Sequence, residues 1–541
     1  MHSSQDTSFP LLSLPSELIL KTLDHLDFRA LVPCRTLSRL FRKIIDEDVN
    51  LQHKIELAAA NMEEGSQSGL STAVRLDLLK RHQAAWNKLE WTSHKSLQIL
   101  GGHVWELYGG VFAQAKDTHN TIFFRQLPSA LRGIEEKEWE ISIVEFQIRD
   151  FTIDPAQDLL VAVVNPVVVP SPGDSFLHIA VQLRSMTTGG RHPLASNPPV
   201  LVHNTSLVNN RLTFIIQICA DIVAVMFTSN ELFINSGSTE LVLWNWKTGC
   251  KVMNIHCDDD MASFAFLSSR YLLVGMNCDP ITTIAQPTLI VLDIEDGTEA
   301  RANFHDINFV CSFQYPRLSP SLVPLVFSIR SDPSPDWTSP PGCQLPFWTA
   351  RQHRLYVISL VLSDDEGNIS SFDSFVPTDT LLSCLRTLDD GEDLRQFEWE
   401  EWGPEGTRLM TSPRTSNVWV CYVFGMKFVS LRARGISTMT GPDKEYIVDL
   451  YDFNHLVLSR AESTGGTPGE DEEWITAPSI VSGGLFATRE VRTSLPYRII
   501  KRSLPEDVIP GRRTNAVMCS EDGLILVADD PDDRKFHVLS F

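Results

Sequence analysis

The sequence LPSELILKTLDHLDFRALVPCRTLSRLFRKII, residues 14–45, predicts three short helices. A first helix opens at Pro15, which the first turn tolerates because the amide there has no helical partner. Asp27 is suited to cap a second helix, and Pro33 is expected to break or restart the chain. The last helix carries an apolar stripe at helical spacing, formed by Leu37, Leu40, Phe41, Ile44 and Ile45.

The identities of these residues, beyond their spacing, resemble the F-box motif. The matching positions begin with Leu14-Pro15-x-Glu17-Leu18 and end with Leu37-Ser38-Arg39 and an aromatic residue at position 41. In that family the motif binds the small adaptor subunit of a cullin-based ubiquitin ligase, and the rest of the chain selects the substrate. The resemblance implies adaptor contacts through Leu14, Pro15, Glu17, Leu18, Leu23, Leu26, Leu31, Leu37 and Phe41.

The sequence departs from the usual F-box pattern at two positions. Pro33 stands where a helix former is common, and Phe41 stands where tryptophan is commoner. A structural alternative stays open, in which these helices only cap a larger domain. Exposure distinguishes the two, because a partner-binding motif keeps part of its apolar surface in solvent, whereas a cap buries it.

Two longer helices are expected next, over residues 50–62 and 72–89, with Ser71 as the N-cap of the second. Trp86 and Trp91 are expected to be packing residues. The phrases LQHKIELAAANMEEG and RLDLLKRHQAAWNKLEW resemble the segment that follows the F-box in a large group of fungal F-box proteins. We expect this segment to be a stiff connector between the adaptor and the substrate-binding domain.

The composition is that of a large, acidic, globular protein. The chain has 541 residues, of which 43% are hydrophobic, enough for a substantial core. Length alone suggests roughly two to four domains or one large repeat domain. The formal net charge of −22 at pH 7 argues against nucleic-acid binding, because phosphate contacts need a basic face. The charge is compatible with basic protein partners, but solubility explains it as simply.

The cysteines and the apolar runs exclude several classes of site. The 10 cysteines contain no C-x-x-C pair, so the sequence predicts no metal site and no disulfide framework. No signal peptide is visible, and residues 212–228 read better as two buried strands than as a membrane span. We therefore expect a protein of the cytoplasm or nucleus without a membrane partner.

The sequence shows no constellation of catalytic residues. It contains no P-loop, no G-x-G-x-x-G opening a helix, no nucleophile elbow and no H-E-x-x-H. Its carboxylates are so numerous that pairing two of them for acid–base chemistry would be arbitrary. The sequence therefore predicts a non-catalytic protein that needs no cofactor.

From about residue 96 the helical periodicity gives way to short β-branched and aromatic runs separated by Gly, Pro, Asn and Asp. So many short strands without long helices between them indicate an all-β architecture. In one unit, three consecutive strands are expected at Ile222–Thr228, Glu231–Asn235 and Glu240–Trp246.

Three segments of the β region repeat one theme, a strand with an apolar face followed by a glycine turn. Their turn glycines, Gly189, Gly249 and Gly297, lie 60 and 48 residues apart. Four-stranded propeller blades repeat at roughly 40–50 residues, and LVLWNWKTG at 241–249 resembles the outer-strand signature of WD repeats. These features favour a β-propeller, and a pair of β-sandwiches is the alternative.

The remaining length leaves room for roughly seven or eight blades. A propeller must close its ring, because an open sheet edge promotes aggregation. We expect Leu524–Ala528 or His537–Phe541 to pair with the first strands near Val104.

Two insertions in the β region have an unusual composition. The proline-rich segment Asp332–Pro346 is expected to be a surface loop without regular structure. The acidic segment Asp389–Gly406 contains Phe397, Trp399 and Trp402. These three aromatic residues are expected to pack against a neighbouring blade, and the alternative is a recognition loop that binds the substrate.

The sequence therefore predicts a flexible tail over residues 1–12, an F-box over 13–50, a helical linker over 51–95 and a β-propeller-like domain over 96–541. The resemblance implies the substrate receptor of a cullin-type (SCF) ubiquitin ligase, whose partners are the adaptor, through it a cullin, and an unidentified protein substrate. A non-catalytic propeller scaffold with a helical cap is the alternative.

Overall fold

The computed structural model describes residues 14–65, 69–98, 104–116, 120–170, 175–207, 212–229, 238–258, 261–281, 285–339, 344–388, 394–412, 421–434, 445–463, 465–482, 484–505, 508, 514–528 and 535–541. Within these residues the chain begins with the helices α1 (Ser16–Asp24), α2 (Phe28–Leu37), α3 (Arg39–Glu47), α4 (Val49–Ala59) and α5 (Thr72–Lys88). Connections between later strands contain α6 (Thr378–Leu385), α7 (Trp399–Gly406), α8 (His455–Ser463) and a 3-10 turn at Phe304–Asp306. None of the described helices is long and apolar enough to cross a membrane.

The described strands form seven antiparallel sheets of four strands each, in a seven-bladed β-propeller. From the innermost strand outward, blade 1 contains Trp105–Tyr108, Val111–Ala115, Thr121–Gln126 and Lys137–Ser142. Blade 2 contains Ile148–Asp154, Leu159–Val164, Phe176–Ser185 and Val200–Thr205. Blade 3 contains Leu212–Cys219, Ile222–Ser229, Ser238–Asn245 and Lys251–Asp258. Blade 4 contains Met261–Phe266, Tyr271–Met276, Thr288–Asp293 and Cys311–Gln314.

The last three blades complete the ring. Blade 5 contains Val323–Arg330, Leu355–Ser363, Ile369–Pro377 and Arg408–Thr411. Blade 6 contains Val423–Phe424, Lys427–Arg434, Glu445–Asp452 and Tyr497–Ser503. Blade 7 contains Thr514–Cys519, Gly523–Ala528, Lys535–Ser540 and, from the N-terminal side, Ser93–Gln98. Short additional strands are Val167–Val169 in blade 2, Ala302–Asn303 in blade 3, Arg395–Phe397 in blade 4, Glu472–Ile475 in blade 6, and the pairs Met62–Glu64 with Phe347–Thr349 and Ser479–Ser482 with Glu490–Thr493.

Hydrophobic packing between neighbouring blades holds the ring together. One cluster joins Val161 and Leu183 of blade 2 to Val225 and Trp244 of blade 3, and similar clusters lie between the other blades. Because neighbouring blades cover both faces of a central strand, such strands are apolar without alternation. Leu159–Val164, for example, reads LLVAVV and is buried in all but its last residue.

The turn glycines confirm the repeat expected from the sequence. Each of Gly189, Gly249 and Gly297 lies four positions after the end of a third strand, in blades 2, 3 and 4 respectively. Gly189 and Gly249 have φ angles of +72° and +78°, which glycine adopts without steric cost. The seven sheets of the ring also exclude the alternative of a β-sandwich pair.

The ring is closed by Ser93–Gln98, which pairs antiparallel with Lys535–Ser540. The sequence correctly predicted a C-terminal partner, but it placed the N-terminal strand near Val104 rather than here. The closing strand has the polar sequence SHKSLQ, and Leu97 is its buried residue. An outer strand is covered on little of its surface, so apolar patterning gave no signal for it.

Two other expectations are corrected by the structure, and a third falls on residues that it does not describe. Helix α2 continues through Pro33, so the predicted break is wrong. The Asp27 carboxylate caps this helix by accepting a hydrogen bond from the Ala30 amide at 2.9 Å. Leu31 anchors the helix in the core, although proline removes one backbone hydrogen bond. The helix expected over residues 50–62 ends at Ala59. In blade 3, Ile222–Ser229 pairs directly with Ser238–Asn245, and the strand predicted at 231–235 lies outside the described residues.

Removal of the closing strand is expected to open the ring. A chain that starts at residue 104 lacks Ser93–Gln98, which leaves the Lys535–Ser540 edge unpaired. We expect this chain to lose the single cooperative unfolding transition and to associate, whereas a chain that starts at residue 49 keeps both α5 and the closing strand. Thermal unfolding and light scattering compare the two chains. Equal melting temperatures and two monomeric chains would contradict the role of this strand.

Candidate functional site

The first three helices pack around a small apolar core. Ile19 and Leu23 of α1, Leu31 of α2, and Phe41 and Ile45 of α3 are buried against one another. The Ser38 hydroxyl caps α3 by accepting a hydrogen bond from the Phe41 amide at 3.1 Å. The apolar stripe recognised in the sequence therefore supplies the core that holds the three helices together.

Part of the same stripe stays in solvent. Leu18 on α1 is 47% exposed and Leu37 at the end of α2 is 69% exposed, and Val32 and Leu40 are also exposed. Pro15 and Glu17 are exposed beside Leu18, and Leu14 and Leu26 are half-buried. The exposed residues of the motif, rather than all nine that were predicted, are thus available to a partner.

Three of the predicted adaptor residues lie inside the helical core. Leu23, Leu31 and Phe41 are buried among the helices, so in this conformation they can support an interface but cannot reach across it. Contact between the adaptor and any of the nine residues stays a prediction.

The linker helices are fixed to one end of the propeller by several kinds of contact. The two oxygens of the Glu56 carboxylate on α4 each accept a hydrogen bond from Arg460, at 2.7 Å. Trp86 of α5 is buried against the ring of Phe541, the C-terminal residue, with centroids 4.3 Å apart. After α4, Met62–Glu64 pairs with the strand Phe347–Thr349 of the connection in blade 5.

A buried charge cluster lies beneath α5. Nη1 of Arg132 in blade 1 donates to the carboxylates of Glu521 and Asp522 in blade 7, each at 2.6 Å. Asp522 also accepts from the Ser129 hydroxyl at 3.0 Å and lies 3.6 Å from Nε2 of the buried His82 of α5. Burial alone would raise the pKa of Asp522, but Arg132 with its neighbours holds it below its usual value. The cluster thus joins the first blade, the last blade and the linker.

The helices occupy the end of the ring where the first strand of each blade turns into the second. Glu521 and Asp522 form that turn in blade 7, between Thr514–Cys519 and Gly523–Ala528. The Glu521 carboxylate also accepts a hydrogen bond from the Thr349 amide, beside the linker strand. The opposite end of the ring faces away from the helices, and the two ends are therefore distinct surfaces.

The candidate substrate residues Phe397, Trp399 and Trp402 are buried, which corrects the recognition-loop alternative. Trp402 is 3% exposed, and its indole Nε1 donates to the Gln314 carbonyl at 3.2 Å. The ring of Phe397 stacks on Phe313 of blade 4 at 5.2 Å. The capping box at the start of α7 sets the indoles inward, so these aromatic side chains pack against a neighbouring blade as the main expectation had it.

A second feature, not predicted from the sequence, is a pit of about 210 Å³ in the centre of the ring. Three carboxylates line it: Glu106 on the innermost strand of blade 1, Asp150 on that of blade 2, and Asp332 just after that of blade 5. Each of these side chains is half-buried by surface area. The protein that surrounds the pit nevertheless reduces the hydration of their carboxylates. Burial, Asp332 and Asp150 raise the pKa of Glu106 to about 7. Burial raises the pKa of Asp150 and of Asp332 to about 6.

One end of the pit is covered by the segment Asp332–Trp337, here named the plug. Its Ser334 amide donates to the Tyr108 hydroxyl of blade 1 at 3.0 Å, and the Asp332 carbonyl accepts from the Gly425 amide of blade 6 at 2.7 Å. Trp337 is buried. The range Asp332–Pro346 was expected to be a surface loop. The plug, which begins this range, is irregular as expected, but it lies inside the ring because its backbone groups find partners on the inner strands.

The pit could not be recognised in the sequence because its members are far apart along the chain. The available signal is an acidic residue within an apolar strand, as in IRDFTID at 148–154. Such a residue in one strand does not reveal that two more carboxylates lie beside it. Among the described residues, no three His, Cys, Asp or Glu side chains are placed to hold a metal ion.

Comparison with known families identifies the N-terminal helices. Residues 11–53 match the family model of the F-box domain, so the chain carries an F-box domain followed by a seven-bladed β-propeller. F-box domains bind the adaptor subunit, and thereby the cullin, in SCF complexes, and F-box proteins are generally non-catalytic. An F-box with a β-propeller fits a substrate-recognition subunit in general.

No curated relative matches the chain. Among solved structures, Kluyveromyces lactis Hsv2 with a complete loop 6CD is similar at 10% sequence identity, over 48% of this chain and 81% of that chain, with a TM-score of 0.21.

The raised pKa of Glu106 predicts a pH-dependent cost to stability. The folded protein holds a proton on Glu106 up to about pH 7, whereas the unfolded chain releases it near pH 4.5, so this group's contribution to stability falls as the pH rises between these values. At about 1.4 kcal/mol per pKa unit the effect is at most about 3.5 kcal/mol, and water in the pit reduces it. Glu106→Gln should therefore gain stability relative to wild type as the pH rises from 5 to 8, measured by chemical denaturation.

The matched control for this measurement is Glu366→Gln, which removes a carboxylate from an exposed turn of blade 5. This control should follow the wild-type pH dependence. A constant difference in unfolding free energy between Glu106→Gln and wild type across this range would contradict the desolvated carboxylate.

Proposed function

We propose that this chain is the substrate-receptor subunit of an SCF-type ubiquitin ligase. Its F-box binds the adaptor, and through it the cullin, while the propeller binds a protein substrate. The observation that carries the proposal is the F-box domain at residues 11–53, with apolar side chains that stay in solvent. Leu18 and Leu37 would lie in the adaptor interface, where their burial supplies the driving force.

The exposure of these leucines favours a partner-binding motif over a helical cap. A cap would bury the apolar stripe against the propeller, and α4, α5 and Met62–Glu64 make such contacts here. Leu18 and Leu37 instead lie on the side of the helices that no described residue covers. A scaffold protein does not require an exposed apolar surface on these helices, whereas an adaptor-binding subunit does.

The fixed linker supports a role in positioning. Because α4, Met62–Glu64, α5 and the closing strand all contact the propeller, an adaptor on the F-box would stand at a set distance and angle from the ring. A substrate bound to the opposite end of the ring would then be held in one place relative to the cullin. Transfer of ubiquitin would be performed by other subunits, and this chain would supply geometry without chemistry. Such a subunit would act in the cytoplasm or nucleus.

Charges placed on the exposed part of the motif are expected to abolish adaptor binding. In Leu18→Glu, Leu37→Glu, two carboxylates would be buried unpaired in an apolar interface, and we expect at least about a 100-fold weaker Kd, roughly 3 kcal/mol. Leu14→Ala, Pro15→Ala removes part of the same surface and should weaken binding less. Calorimetry with the purified adaptor measures the constants, and the melting temperature should change little because neither leucine belongs to the core.

The matched control is Val144→Glu, which places a carboxylate at an 83% exposed valine in the connection between blades 1 and 2. It should bind the adaptor like wild type. Adaptor binding that is absent in the wild-type chain, or that survives the Leu18 and Leu37 changes, would exclude the receptor function proposed here.

A further inference from the structure

Among the described residues, those that cover the central pit lie at the end of the ring that carries the helices. The plug spans the channel at the end where the linker docks, reaching blade 1 through Tyr108, blade 3 through Cys219 and blade 6 through Gly425. Arg354 also holds the plug by donating a hydrogen bond to the Pro333 carbonyl at 3.1 Å. A ligand would therefore approach the pit from the opposite end of the ring, which is the end that the helices leave free.

The three pit carboxylates differ in the hydrogen bonds that they accept. Glu106 accepts from the Leu107 amide at 3.0 Å and from the Thr152 hydroxyl at 3.4 Å. The Asp332 carboxylate makes no hydrogen bond with any described residue, and Asp150 accepts one from the amide of the next residue, Phe151, at 2.8 Å. The Ser331 hydroxyl also lines the pit, and its oxygen is buried without a hydrogen-bond partner among the described residues. These groups are positioned to receive a donor that the chain itself does not supply.

The positive charges near the pit do not neutralise its carboxylates. Arg330 and Arg354 also line the pit and favour the charged form of Asp332, but desolvation outweighs both of them. The two terminal nitrogens of Arg354 donate to the carbonyls of Pro333 and Leu267 and to the Tyr356 hydroxyl, whereas its Nε is buried without a partner among the described residues. The Asp154 carboxylate is bound to Gln157, and burial keeps the thiols of Cys219 and Cys421 and the Tyr108 hydroxyl protonated by raising the pKa of each.

One wall of the pit is apolar and remains accessible. Phe214 and Ile216 lie on one face of the innermost strand of blade 3, line the pit and are half-buried. Ile215 lies on the other face of this strand, toward blade 4. The pit therefore offers an apolar wall and an anionic group of carboxylates within one narrow cavity. Lysine and arginine side chains have the complementary form, an aliphatic stem that packs on apolar surface and a cationic head that seeks carboxylates.

We propose that the pit binds the side chain of one lysine or arginine of the protein that the propeller recognises, with its stem on Phe214 and Ile216 and its cationic head among Glu106, Asp150 and Asp332. The proposal rests on the proposed receptor function and narrows its substrate class to proteins that present a protruding basic residue. The head would donate hydrogen bonds to these carboxylates, of which Asp332 accepts none from a described residue, and its charge would favour their ionised form. The acidic pit thus selects for basic residues and against phosphorylated ones.

The experiment titrates the full chain with N-acetyl-argininamide and N-acetyl-lysinamide, with N-acetyl-norleucinamide as the neutral match, observed by NMR. At least one of the two cations should bind at least tenfold more tightly than the norleucine compound. The affinity for the cation should rise from pH 5 to pH 8, because Glu106, Asp150 and Asp332 must lose protons to receive it. Equal affinities for the charged and neutral compounds, or an affinity that falls with pH, would overturn the proposal.

Variants locate the binding to the pit. Glu106→Gln, Asp332→Asn should lose at least tenfold in cation affinity, and Glu366→Gln in the exposed turn should not. If the double variant does not fold, the single variant Asp150→Asn replaces it with the same expectation. Cation binding that survives loss of the pit carboxylates would exclude the pit as the binding site. Displacement of both N-acetyl-argininamide and N-acetyl-lysinamide by Mg²⁺, at an equal concentration of charge, would exclude a site for a side chain.

Adaptor binding is measured on the same variants to separate the two proposals. The pit lies at the other side of the plug from the linker, so loss of its carboxylates should leave adaptor affinity unchanged. A chain that binds adaptor but no basic side chain retains the receptor function and loses this assignment of its substrate. A chain that binds the cation but no adaptor fails as a receptor.

Discussion

The pairing of Ser93–Gln98 with Lys535–Ser540 is the constraint on which the rest of the structure depends. It joins the two ends of the β region within one sheet, so that the last blade is completed by a strand from the N-terminal side. The closing strand follows directly after α5, which is itself packed against the last residue of the chain through Trp86 and Phe541. The F-box helices pack on α4 through Leu51 and Ile55, and α4 and α5 in turn contact the propeller.

The buried charge cluster and the plug extend this constraint to the two ends of the ring. Arg132 of blade 1 forms buried ion pairs with Glu521 and Asp522 of blade 7, beneath α5. Removal of the arginine alone would leave the two carboxylates buried without a compensating charge. The plug occupies the same end and closes the central channel there. Asp332, at its start, contributes a carboxylate to the pit on the other side. One irregular segment thus separates the end of the ring that carries the helices from the central pit.

Sequence patterns succeeded where the physical cause was local. Asp27 and Ser71 were placed at helix N-termini, where each accepts a backbone amide as expected, and the glycines at 189 and 249 were placed in turns that require positive φ. Patterns failed where tertiary contacts outweighed local preference. Pro33 is tolerated because Leu31 is locked in the helical core, and SHKSLQ forms a strand because an exposed C-terminal edge needs a partner.

By itself, the sequence determined the F-box at its N-terminus, the all-β class of the remainder and the blade repeat, because helix spacing, strand runs and turn glycines act over a few residues. Only the tertiary structure decided which leucines of the motif remain exposed, which strand closes the ring, and that the aromatic side chains at 397, 399 and 402 are buried. It alone brought together Glu106, Asp150 and Asp332, from three blades. Such a group depends on ring closure, which places distant inner strands side by side, and no local pattern records that distance.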